Sequence, residues 1–110
     1  MDAEWALFHL RRTLWDPVDP RRLGSLRPEL VFHVNGEPYR FSSERTLRRF
    51  MKSPTVWCGR LRDAVSGRPF MSTRRSPAAY WIGGPYFFES ESTKARFIED
   101  PHRYEVIRPM

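Results

Sequence analysis

Cysteine is almost missing from this chain. Cys58 stands alone among 110 residues, so no internal disulfide can form and nothing requires an oxidising compartment. His9, His33, His102 and Cys58 show no Cys-x-x-Cys or His-x-x-x-His spacing, the arrangement a tetrahedral metal site needs. Lysine is scarce as well: of 19 basic residues only Lys52 and Lys94 are not arginine. No basic block exists, because residues 1–57 carry ten basic and seven acidic side chains and residues 58–110 carry nine and six. An even spread favours a solvated arginine-rich surface, and the formal charge of +6 keeps an arginine-rich nucleic-acid-binding module as an alternative. No apolar run approaches membrane-spanning length. Acidic residues precede the apolar ones in residues 1–14 and Arg11 and Arg12 follow them, the reverse of a secretory signal. The expectation is a cytoplasmic protein with no membrane partner.

Aromatic residues are abundant: 8 Phe, 4 Tyr and 4 Trp, in a chain that is 40% hydrophobic. That suffices for a packed interior, in a length that holds one small domain or two modules sharing a core. Sliding the sequence by 47 residues brings Asp16 onto Asp63, Val18 onto Val65, Gly36 onto Gly83, Pro38 onto Pro85, Tyr39 onto Tyr86 and Phe41 onto Phe88. The match runs on through Ser43 and Ser90, Glu44 and Glu91, Thr46 and Thr93, Phe50 and Phe97, to Pro54 and Pro101. Identity holds at 15 of 42 aligned positions, where unrelated segments would give roughly two or three. The chain is internally duplicated.

Each copy reads as a β-hairpin followed by a helix. Leu30 to Val34, a turn at Asn35 and Gly36, and Tyr39 to Phe41 form the first hairpin. Ala79 to Ile82, a turn at Gly83 and Gly84, and Tyr86 to Phe88 form the second. Ser42 or Ser43, and Ser90, are candidate helix caps, and Pro54 and Pro101 are expected to stop the helices. Ahead of the repeat, Trp5, Leu7, Phe8, Leu10 and Leu14 recur at helical spacing, which predicts an amphipathic helix within residues 1–15. The short connection after Trp57, which carries Cys58, predicts two copies packed about a pseudo-twofold axis.

These residues resemble the YHS domain, a small treble-clef-like metal-binding module. Its signature runs Asp-Pro-Val-Cys, a hairpin, Tyr-x-Phe-Cys-Ser-x-x-Cys-x-x-x-Phe, and Asp-Pro-x-x-Tyr. The first copy supplies Asp16, Pro17, Val18, Tyr39, Phe41, Ser43 and Phe50; the second supplies Tyr86, Phe88, Ser90, Phe97, Asp100, Pro101 and Tyr104. The resemblance implies an α+β fold with a first YHS-like module at residues 16–57 and a second at 63–104. Every thiolate position has changed: Asp19, Ser42 and Thr46 stand there in the first copy, and Ser66, Glu89 and Thr93 in the second. Hydroxyls that stay protonated are poor ligands for zinc or copper, so no metal or other cofactor is expected. A metal-binding or metal-trafficking role through non-cysteine ligands, such as a weak oxygen site of Glu89 with Asp19, is the alternative. Aromatic packing in one shared core, with Tyr39, Phe41, Phe50, Tyr86, Phe88 and Phe97, should replace the metal.

No nucleophile, base and orienting group come together in the sequence, so an enzyme is not expected. YHS modules are similar to appendages of metal-transporting ATPases and of hydroxylase subunits in multicomponent monooxygenases, and occur also as small free proteins. The resemblance implies a non-catalytic accessory or protein-interaction subunit, such as a small subunit of a multicomponent oxidoreductase, whose partner is a larger protein. Trp5, Trp15, Trp57, Trp81, Arg74 and Arg75 are the candidate partner-binding residues, being of the types enriched at the energetic centres of interfaces.

Overall fold

Alternating aromatics and turn residues do form hairpins. The computed structural model describes residues 3–5, 7 and 14–107. Residues 3–5 and 7 are helical; at the far end of the expected N-terminal helix Leu14 is in a turn and Trp15 in a β-bridge, and the residues between lie outside the described residues. After a 3-10 turn at Pro28–Leu30 come strands β1 (Val31–Val34) and β2 (Glu37–Arg40), then helices α1 (Glu44–Lys52) and α2 (Pro54–Cys58). Strands β3 (Arg60–Arg62), β4 (Pro69–Met71), β5 (Ala78–Trp81) and β6 (Gly84–Phe87) follow, and α3 (Glu91–Glu99) and α4 (Pro101–Tyr104) close the order. The fold is α+β, with three two-stranded antiparallel hairpins among the described residues. Its radius of gyration of 13.3 Å is that of one folded body of about 100 residues.

The duplication extends to backbone geometry. Val31↔Arg40 to Val34↔Glu37 in the first hairpin correspond pair by pair with Ala78↔Phe87 to Trp81↔Gly84 in the second. Ser43 (φ −156°, ψ 162°) and Ser90 (φ −156°, ψ 161°) cap α1 and α3, each accepting the amide three residues on, Thr46 and Thr93. Pro54 and Pro101 stop α1 and α3 as expected, the helices ending at Lys52 and Glu99. Each also opens a short second helix, because proline keeps the preceding Ser53 (ψ 72°) and Asp100 (ψ 74°) out of the helical region while its own fixed φ suits a helix's first position. The turns differ by one residue from expectation in the second copy. Asn35 (φ 53°) and Gly36 (φ 75°) are both left-handed, a type I′ turn. The equivalent pair is Ile82 and Gly83, where only Gly83 has positive φ, since a β-branched residue resists the left-handed region. Gly84 instead starts β6.

The connection expected after Trp57 is structured. Cys58 ends α2 and is buried in the core, and β3 pairs with β4 through Leu61↔Phe70. The first copy holds a reduced version, the isolated bridge Trp15↔Leu23.

All six expected core aromatics are buried, yet they form two clusters rather than one shared core. Val34, Tyr39, Phe41, Phe50, Cys58 and Leu61 make the first, and Tyr86, Phe88 and Phe97 the second. The cause is local: each hairpin lays its inward rings on its own helix, Phe41 at 4.9 Å and Tyr39 at 5.3 Å from Phe50, Tyr86 at 4.7 Å and Phe88 at 5.3 Å from Phe97. Phe87 crosses over, packing on the first cluster.

Polar bonds join the copies where β1 lies against β6. The Asn35 amide donates to the Pro85 carbonyl (3.0 Å). Its carboxamide accepts from the Phe87 amide (2.7 Å) and donates to the carbonyls of Phe87 (3.0 Å) and Arg62 (2.9 Å). A twofold axis would repeat the three carboxamide bonds from residue 82, and isoleucine has no polar side-chain atom with which to make them. The joint is one-sided.

Behind the same turn, a Cβ on Gly36 would overlap the Val106 carbonyl oxygen and stand 2.9 Å from Tyr86 Oη. Gly36→Ala is expected to lose about 2–4 kcal/mol from left-handed strain plus overpacking. A urea melt checks it, and a change below about 0.5 kcal/mol would contradict the close approach.

Candidate functional site

The six positions aligned with the YHS ligand pattern are brought together, three and three, around two buried aspartates. Asp16 and Asp63 are each 0% exposed. Asp16 Oδ1 accepts the amides of Val18 (2.8 Å) and Asp19 (3.1 Å), while Oδ2 accepts the Ser42 amide (2.8 Å), the Ser42 hydroxyl (2.8 Å) and the Thr46 hydroxyl (2.6 Å). Asp63 repeats the pattern. Its Oδ1 accepts the amides of Val65 (2.8 Å) and Ser66 (3.0 Å), and Oδ2 accepts the Glu89 amide (3.0 Å) and the Thr93 hydroxyl (2.7 Å). In each copy a loop ahead of the hairpin is thereby tied to the first turn of the helix behind it. The helix N-terminus also favours a negative charge at that place.

Sequence reasoning passed over Asp16 and Asp63 as parts of the knot. The available signal was an acidic residue identical in both copies at the 47-residue offset.

The donor set does not fit a metal ion. The groups facing each centre are O–H and N–H donors with their hydrogens on a carboxylate, and protonated hydroxyls do not serve as zinc or copper ligands. Asp19 and Glu89 are engaged elsewhere. Asp19 meets Arg21 (3.2 Å) and Arg22 (3.5 Å), and Glu89 pairs with Arg68 (3.0 Å) and accepts the Ser66 hydroxyl. Among the described residues no three His, Cys, Asp or Glu side chains are grouped so as to hold an ion.

Burial alone raises the Asp16 pKa. Hydrogen bonds from the Ser42 amide, the Thr46 and Ser42 hydroxyls and the Val18 amide more than offset this, leaving it below the ordinary aspartate value. His33 is half-buried on β1, and its pKa is lowered first by desolvation and then by Arg40, against an opposing pull from Glu37. Both folded-state values are depressed, so each group's contribution is complete above its unfolded pKa and is lost as pH falls through the folded one. Stability is expected to decline gently below about pH 6.5 through His33 and again below about pH 4 through Asp16. Urea midpoints from pH 7 to 2 check this, and His33→Gln should abolish only the first decline.

The candidate partner-binding residues are dispersed. Trp57 is half-buried against the first cluster with the Arg49 guanidinium over its ring (5.6 Å). Trp81 packs on the second cluster, and its indole N–H donates to Glu105 (2.7 Å). Trp5 is half-buried, and Trp15 is 46% exposed beside the Leu23 bridge. Arg74 and Arg75 are exposed in the turn ahead of β5. An apolar groove of about 280 Å³ runs where the copies meet, lined by Phe32, Met51 and Pro54 from the first and by Ala79, Tyr80 and Phe87 from the second. No helix of the described residues is long and apolar enough to cross a membrane.

Compared with protein-family models, curated proteins and solved structures, the chain matches none of them.

Proposed function

We propose that this chain is a non-catalytic accessory subunit built from two YHS-like, treble-clef-like modules in which an internal carboxylate has taken the organising place of a metal. One observation carries the reading: the positions matched to the family's ligands converge on one point in each copy, and at that point sits Asp16 or Asp63. A site whose lone pairs are consumed by internal hydrogen bonds is structural. Surface is what such a pair of modules offers, and a small subunit that docks on a larger enzyme, such as a multicomponent oxidoreductase, is the setting the family resemblance supplies. The pairing is head to tail through Asn35, with Ile82 as the unmatched end.

Tag-free purification from the native host tests this. The chain is expected to elute with a larger protein at fixed stoichiometry and without a stoichiometric ion. EDTA should leave the unfolding midpoint unchanged, because no metal contributes to folding. Elution alone, elution with nucleic acid in a salt-sensitive complex, or a tightly held ion whose removal unfolds the chain would overturn the proposal.

A further inference from the structure

We infer that the apolar groove at the junction of the copies is the docking site for a partner's extended segment, in which apolar residues are flanked by Asp or Glu. The inference rests on the accessory reading and names the chemistry of the partner. Both copies build the groove, so it exists only in the joined molecule. Its rim keeps large side chains in solvent, Met51 at 48% and Tyr80 at 75% exposure.

Backbone geometry supplies the second support. The Phe88 amide donates to the Pro77 carbonyl, and with the register Ala79↔Tyr86 the alternation of an antiparallel ladder turns the backbone groups of Ala78 and Tyr80 away from β6. On β6 the corresponding outward groups, at Pro85 and Phe87, are taken up by Asn35. No strand of the described residues pairs with the outer edge of β5. An edge of this kind is completed by an added strand, whose alternate side chains enter a neighbouring apolar groove.

Charge selects the segment. Arg74 and Arg75 occupy the turn Thr73–Ser76, closed by the Ser76 amide on the Thr73 carbonyl (3.0 Å), directly ahead of β5. Lys52 follows Met51, which lines the groove. All three are exposed, and none is in a salt bridge among the described residues. Exposed cations close in sequence to the groove-lining Ala78 and Met51 favour an acidic-flanked segment and disfavour a basic one.

Random-peptide display against the intact chain, followed by anisotropy titration of the enriched peptides, is the test. The expected peptides carry apolar residues beside Asp or Glu. They should shift the amide resonances of Met51 and of Ala78 to Tyr80, and bind at least about tenfold more weakly to Arg74→Glu/Arg75→Glu and to Tyr80→Ala. Enrichment of no peptide or of basic peptides, or affinities unchanged in both variants, would overturn the inference. A concentration-dependent dimer lost in Tyr80→Ala would assign the groove to a second copy and also overturn it. The host complex separates the two readings: one that persists in the variants removes the groove and leaves the accessory role standing, whereas a chain that purifies alone removes both.

Discussion

Asp16→Ala is expected to cost about 4 kcal/mol, a large share of the roughly 5–15 kcal/mol that holds a domain of this size. The substitution leaves three amide donors and the Ser42 hydroxyl without their acceptor inside the protein, while the Thr46 hydroxyl keeps only the Ser43 carbonyl (3.0 Å). Each unsatisfied buried donor costs about 1–3 kcal/mol, reduced where water can enter. Asp63→Ala should behave alike through Val65, Ser66, Glu89 and Thr93. Thr46→Val keeps the shape and removes one charge-assisted bond, for a loss of about 2 kcal/mol. Asp16 and Thr46 should therefore be strongly coupled in a double-mutant cycle read by urea melts. A loss below about 1 kcal/mol for Asp16→Ala would mean that the aspartate does not organise the module.

The second large effect is expected at Asn35, and two substitutions divide it. Asn35→Gly retains a residue at ease with φ 53° and deletes the carboxamide, so the bonds to Phe87 and Arg62 are lost with the turn intact. A loss of about 2–3 kcal/mol is expected, as for three buried bonds at about 1 kcal/mol each. Asn35→Ala adds about 1 kcal/mol of left-handed strain. Exchange of the Phe87 amide should quicken in both variants far more than exchange of the helical amides. Because each copy has its own aromatic cluster, loosening the joint should also broaden the unfolding transition. Full protection of the Phe87 amide in Asn35→Gly would show that the carboxamide is not the fastening.

Much of the fold was legible because the repeat reports the same physics twice. A glycine in the turn, a serine cap and a phenylalanine on the helix face at one fixed offset leave few alternatives to hairpin and helix. What escaped had weak local signals. Strands β3 and β4 are three residues each, too short for alternation to register, and β4 opens with Pro69. The knots escaped because their meaning is non-local: Asp16 lies 26 residues from Ser42 and 30 from Thr46, and a lone aspartate after Trp15 looks solvated. The split core escaped because aromatic content says how much area is buried and not which helix receives it. The six positions around the aspartates were singled out by resemblance to the YHS pattern alone; composition would have passed over Ser42 and Thr93.

The mismatch between Asn35 and Ile82 bears on assembly. A contact made by unlike faces can in principle be handed on from molecule to molecule, growing a fibre instead of closing. Growth would require the leading turn of the second copy to grip the next molecule as the Asn35 carboxamide grips Phe87, and the isoleucine side chain offers no hydrogen bond. The coupling is spent within the chain, and its terminus is blunt.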